Sequence, residues 1–94
     1  MRFEWDNNKD NANQAKHGVS FETACQVFED PRALSVQNRH EAGEERWQTI
    51  GLIGGVVVLL VAHTYRATDE DEVIRIISAR RATKRERQRY EQGI

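Results

Sequence analysis

Residues 49–65 carry no charged side chain, a run of 17 positions rich in valine, leucine and isoleucine. A run of this kind either crosses a membrane or belongs to a protein core. A spanning helix needs about 20 predominantly apolar residues. This run is interrupted by Thr49, His63, Thr64 and an adjacent Gly54-Gly55 pair. Two neighbouring glycines between apolar segments signal a two-residue hairpin turn, whose central positions both need positive φ. The run therefore reads as two strands, 45–53 and 56–65, inside a soluble sheet. Residues 56–62 are all apolar, without alternation, which marks a central strand covered on both faces.

A chain of 94 residues has room for one core, so a single domain over 1–94 is expected. Its 38% hydrophobic content and lone proline are wrong for a disordered chain. Cys25, the one cysteine, cannot form an internal disulfide. The start, Met-Arg-Phe-Glu-Trp-Asp, has no apolar signal-peptide stretch, and a reducing cytoplasm fits best.

The remaining elements follow from period and caps. Arg2-Phe3-Glu4-Trp5 alternates and reads as a short strand at a sheet edge. Asp6 is a helix N-cap for residues 7–17, with Lys16 and His17 in the last turn and Gly18 just beyond. Ala12 and Ala15 give that helix a thin apolar stripe. Ser20 caps a second helix, with Phe21, Ala24, Cys25 and Phe28 on one face. Cys25 on that face reads as a small buried hydrophobe rather than a nucleophile. Asp30-Pro31 ends the helix. Residues 33–38 form a strand, 39–44 a polar loop, and 72–80 the last strand. Thr83-Lys84-Arg85-Glu86 has the capping-box pattern that opens a closing helix running to about Gln92. The order is β-α-α-β-β-β-β-α, an α+β fold with a meander sheet.

If Gly54-Gly55 is the whole loop, Ile53 faces Val56, and counting back puts Arg46 opposite His63. Arg46, His63 and Tyr65 then share one face, and Glu45, Thr64 and Arg66 the other. These are either solvated strand ends or the rim of a site. Trp5 and Trp47, both in amphipathic strands, read as core.

The net charge of −1 hides a segregation. Residues 1–30 and 31–72 each sum to −3, while residues 73–94 carry 7 basic and 2 acidic side chains. The basic quarter is either a solvated helix face or a surface for a polyanion. His17, His40 and His63 have no ligand spacing to one another, and there is no CxxC, Walker loop or HExxH. No metal or cofactor is expected. What stands out is arginine: Arg66 at one strand end, then Arg75 and Arg80 on the last strand, on opposite faces by parity. Arg81, Lys84, Arg85, Arg87 and Arg89 follow. Guanidinium groups suit bidentate phosphate recognition. RNA cleavage without metal also needs the 2′-hydroxyl activated and the 5′-oxygen protonated. Arginine stabilises the phosphate charge well and serves the other two needs poorly.

Two blocks carry a family resemblance. Phe3-x-Trp5-Asp6-x-x-Lys9-x-x-x-Asn13-x-x-Lys16-His17-Gly18-Val19-Ser20-Phe21-x-x-Ala24, continued by Phe28-x-Asp30-Pro31, resembles the N-terminal signature of the BrnT type II toxins. So do Glu45-Arg46, the run Ile74-Arg75-Ile76-Ile77-Ser78-Ala79-Arg80-x-Ala82, and then Glu86-Arg87 and Tyr90. The resemblance covers nearly the whole chain. It implies a RelE-like fold, a small antiparallel sheet against helices, and a ribonuclease that arrests translation. It also implies a cognate ribbon-helix-helix antitoxin that binds DNA, so that DNA is reached only through that partner. A dimer within the toxin–antitoxin complex is implied too. Arg80 and Arg66 are the first candidates for the phosphate, and Lys9, His17, Arg46 and Tyr90 the lesser catalytic ones. Arg75, Arg81, Lys84 and Arg85 are candidates for RNA contact. The other function class left open is a non-catalytic module whose basic C-terminal region docks on an antitoxin-like partner or nucleic acid.

Overall fold

The computed structural model describes residues 1–41 and 44–93, without the side chains of residues 39–41 and 44. The elements are β1 (Arg2–Glu4), α1 (Asn7–His17), α2 (Phe21–Ala24), a 3-10 helix (Cys25–Glu29), β2 (Leu34–Glu41), β3 (Glu44–Ile53), β4 (Val57–Ala67), β5 (Glu72–Arg81) and α3 (Lys84–Gln92). One five-stranded sheet has the order β1-β5-β4-β3-β2. It is a meander from β2 to β5, but β1 joins the edge parallel to β5, so the sheet is mixed. No helix among the described residues is long and apolar enough to cross a membrane.

The expected caps form. Asp6 accepts from the backbone N–H groups of Asn8 and Lys9, and Ser20 from that of Thr23. Thr83 and Glu86 complete the capping box of α3. β4 lies at the centre with cores on both sides. Leu59 and Val61 pack with Phe21, Ala24, Val27, Ile74 and Ile76 under α1 and α2. Leu60 packs with Ile50 and Tyr90 under α3.

Five local details differ from the sequence expectation. The turn at Gly54-Gly55 closes as expected, with Val56 N donating to Ile53 O at 3.1 Å and φ of 58° and 69° at the glycines. Val56 itself stays out of the ladder, 81% exposed, and Ile53 pairs with Val57. The register therefore moves by one: Trp47 faces His63 and Arg46 faces Thr64. The expected Arg46–His63–Tyr65 cluster does not exist. Next, the polar loop expected at 39–44 is largely strand, with His40 paired to Glu45 and Glu41 to Glu44; Ala42 and Gly43 lie outside the described residues.

The second helix tightens after one turn into the 3-10 form, at three residues per turn. This brings Val27 into line with Phe21 and Ala24, and all three are fully buried. Cys25 and Phe28 are only half-buried. Burial beside Glu22 pushes the Cys25 thiol up to about 11, so it is protonated and inert at neutral pH. Val27 presses on β3 at Gly51. A Cβ built there would stand 2.8 Å from Val27 Cβ and 3.0 Å from Val27 O. Gly51→Ala is expected to cost about 1–3 kcal/mol by overpacking, read as a lowered midpoint in denaturant unfolding. An unchanged midpoint would show that the 3-10 segment yields freely.

In α1 the alanines are exposed and Asn13 is the buried residue. Its side-chain amide donates to Val19 O at 2.9 Å and Ala79 O at 2.8 Å, and its carbonyl oxygen accepts from Ala79 N at 3.2 Å. The last difference is a bulge in β5. Ala62 pairs with Ser78 but His63 with Ile76, which leaves Ile77 as the extra residue. Beyond it, side-chain parity reverses. Ala79 joins Ile74 and Ile76 in the core under α1 and α2. Arg80, paired with Leu60, falls on the opposite face, that of Arg75. Arg75 and Arg80 share a face, contrary to simple alternation.

Candidate functional site

The sheet face that carries α3 is covered at its hairpin end, where Tyr90 packs on Ile50 and Leu60. Four residues back along β3, roughly 13 Å away, the same face presents a row of directly paired residues. Arg46 on β3 faces Thr64 on β4, Thr64 faces Arg75 on β5, and Arg75 faces Glu4 on β1. At the strand spacing of about 4.8 Å the row spans roughly 14 Å. Arg66, two residues after Thr64 on β4, shares the face. Arg39 stands opposite Arg46 in the ladder. Glu4 Oε1 receives Arg66 at 3.2 Å and Arg75 at 3.7 Å. The arginines are partly exposed, with 53% of the Arg66 side chain and 42% of Arg75 open to solvent. Arg46 is half-buried, and its Nε has no hydrogen-bond partner among the described residues. A group of guanidiniums fixed on rigid strands is an anion-binding surface preorganised for phosphate.

The other expected residues are placed differently. Arg80 lies on this face but is engaged: Nη1 and Nη2 donate to the two oxygens of Glu86 at 2.8 and 2.9 Å. Glu86 also accepts from Thr83 N at 2.9 Å. Arg80 thus bolts the first turn of α3 to β5. Tyr90 is buried, and its hydroxyl donates to Asp30 Oδ2. Asp30 also accepts from Leu52 N at 2.8 Å and Arg32 N at 2.9 Å. Burial pushes the Asp30 carboxyl up, but these bonds outweigh it and hold it below the usual range. Asp30 and Tyr90 therefore dock α3 on β3. Lys84 and Arg85 are exposed on that helix. Arg81 faces the other way, in a groove with Gly18, Val19 and Ser20. Lys9 and His17 sit on α1, which packs on β5 across the sheet from the arginine row. Sequence reading missed Glu4, Glu86 and Asp30 as site residues, because their partners are set by a parallel strand and by tertiary docking.

The Arg80–Glu86 pair has a pH signature. Hydrogen bonds from Arg80, with those from Thr83, overcome burial and hold the Glu86 carboxyl down at about 2. Its ordinary value is near 4.5. A depressed folded-state value gives stability that is full above about pH 4.5 and is lost as pH falls toward 2. Allowing for solvent screening of a partly exposed pair, the loss is about 1–2 kcal/mol. Denaturant unfolding between pH 6 and 2 is expected to show it in the wild type and far less of it in Arg80→Met. The same slope in both proteins would detach the effect from this pair.

On the other face, a cavity of about 270 Å³ is lined by Phe28, Ser35, Trp47, His63, Tyr65 and Ile74. His63 is buried, and burial pushes it below its usual value despite the carbonyl of Thr64. Nδ1 lies 3.1 Å from Thr64 O, which can only accept, so Nδ1 carries the proton. Nε2 then accepts from Thr49 Oγ1 at 2.7 Å, and Thr49 from Ser35 at 2.7 Å. His63 is neutral and satisfied, a structural histidine.

Residues 5–86 match the family described as the ribonuclease toxin BrnT of type II toxin–antitoxin systems. The chain belongs to the BrnT family. Its fold is similar to the crystal structure of the Brucella abortus ribonuclease toxin BrnT, with a TM-score of 0.71 and 25% sequence identity. The match covers 89% of this chain and 99% of that one. No curated protein sequence matches it at a significant level. The family is one of ribonuclease toxins, each with an antitoxin partner, and the α+β arrangement described above is that of the BrnT structure.

Proposed function

We propose that this chain is one toxin domain that cuts RNA internally without a metal ion and thereby arrests translation. It acts in the cytoplasm and is neutralised by a ribbon-helix-helix antitoxin, with two toxin copies in the complex and DNA bound only through the antitoxin. The observation that carries the reading is the row of Arg46, Arg75 and Arg66, partly exposed on one sheet face. Guanidiniums there meet the charge that builds on phosphorus as the backbone is cleaved. Arg80 would support the row through α3, while Lys84 and Arg85 would lie along the flanking RNA. Metal independence is supported by the sequence, in which His17, His40 and His63 have no ligand spacing to one another and no CxxC or HExxH occurs. A row of guanidiniums also disfavours a cation.

The purified chain is expected to cleave RNA at an undiminished rate in excess chelator, leaving 2′,3′-cyclic phosphate ends. Expression without antitoxin is expected to stop growth. Cleavage abolished by chelator and restored by a divalent ion would refute the metal-free chemistry.

A further inference from the structure

We infer that Glu4 is the general base of this chain, accepting the proton of the attacking 2′-hydroxyl; the inference rests on the ribonuclease reading above. Cleavage of RNA by its own 2′-oxygen requires a proton acceptor beside the phosphate. Arginine cannot serve, since its guanidinium does not deprotonate in proteins. His17 and His63 lie on the other side of the sheet, and His63 is buried with both ring nitrogens engaged. Of the carboxylates placed on the arginine face, Glu86 is spent on Arg80 and Asp30 on docking α3. Glu4 remains. It ends the row and touches the two arginines best exposed for phosphate. Both contacts fall on Oε1, and Oε2 has no hydrogen-bond partner among the described residues.

The pairing with Arg66 and Arg75 does little for folding, because partly exposed ion pairs contribute roughly 0–1 kcal/mol. It does fix a carboxylate next to the place where a phosphate held by the same guanidiniums would sit. A 2′-hydroxyl is one sugar carbon from the carbon that bears that phosphate, so a base in contact with the phosphate's own ligands is within its reach. Glu4 takes the 2′-hydroxyl proton. The 2′-oxygen bonds to phosphorus as the bond from phosphorus to the 5′-oxygen breaks. That oxygen leaves as a hydroxyl with a proton from water, and Glu4 returns its proton to solvent. The products are a 2′,3′-cyclic phosphate and a 5′-hydroxyl. Glu4 stands just outside the span 5–86 over which the family is matched.

The test is cleavage of a defined oligoribonucleotide by the purified chain and by Glu4→Gln, as a function of pH. The charged groups facing Glu4 are Arg66 from β4 and Arg75 from β5, with Arg2 on its own strand. All three stay charged throughout. A fall in rate on acidification that Glu4→Gln abolishes therefore reports this carboxylate. Glu4→Gln is expected to lose about 10²–10⁴ in kcat with little change in KM and to lose that acid limb, while its melting temperature stays close to wild type. Glu4→Asp keeps a carboxylate and is expected to retain the limb. Formate is expected to restore part of the rate to Glu4→Ala. Should Glu4→Gln fold poorly, the acid limb and cyclic phosphate product of the wild type, with Glu4→Asp, still decide the matter. Glu4→Gln within threefold of an active wild type overturns the inference alone. So does a slow Glu4→Gln that keeps the same acid limb, since that residue only positions arginines. A wild type that cuts no RNA overturns the ribonuclease reading of this chain and the inference together.

Discussion

Arg66→Ala is expected to lower RNA cleavage about 10²–10³-fold, the usual cost of removing one donor aimed at charge that develops in the transition state. Its stability is expected to fall by less than about 1 kcal/mol, because what is lost in the folded protein is one ion pair with half the guanidinium side in water. The side chain is 53% exposed and its partner Glu4 lies 3.2 Å away. The two effects separate by orders of magnitude, which makes the variant informative. Arg80→Ala is the contrast. It strips a bidentate partner from Glu86 and loosens the first turn of α3. Its activity loss is therefore expected to come with a lowered melting temperature. Measured side by side, Arg66→Ala is expected to lose rate without stability and Arg80→Ala to lose both. Full cleavage by Arg66→Ala would remove the arginine row from the reaction.

The same pair of residues shows where sequence reading stops. Alternation along 72–80 puts Arg80 with Ile74 and Ile76, and nothing in Ile76-Ile77-Ser78 announces that one residue will be skipped. A bulge is a choice between two ladders with nearly equal hydrophobic content. It is made here by packing, because it lets Ala79 as well as Ile74 and Ile76 face the core. The Gly54-Gly55 turn was legible because positive φ is a local demand. The residue after it was not, because whether Val56 enters the ladder depends on how the strands twist beyond the turn. A shift of one residue exchanged the faces of Arg46 and Trp47, and with them the make-up of the site. Element order, caps and the central strand survive such slips, since each rests on local chemistry or on a long apolar run. Glu4 was invisible as a site residue for another reason. Its partners are 62 and 71 positions away in sequence, across a parallel pairing that no periodicity encodes.

Asn13→Leu is expected to be the most destabilising single change in this chain outside the apolar core. The side chain sits beneath α1 with 7% exposure and satisfies three backbone groups at once: Val19 O, Ala79 O and Ala79 N. Ala79 is the first core residue beyond the β5 bulge, where the ladder has just slipped. Replacing the amide by an isosteric apolar group leaves those groups buried and unpaired, at roughly 1–3 kcal/mol each, partly relieved by local movement. A total of about 3–5 kcal/mol is a large share of the roughly 5–14 kcal/mol expected for a domain this size. The melting temperature is expected to drop by about 15 °C or more. Asn13→Asp keeps one oxygen to accept from Ala79 N but sets a carboxylate against two carbonyl oxygens, so it is expected to be no better. Because Asn13 fixes the strand segment that turns Arg80 toward α3, the surviving folded protein should also show a weakened Arg80–Glu86 pair. A loss below about 1 kcal/mol would mean that the bulge holds its register without the amide. Packing of Ala79 against Val61 would then have to account for it.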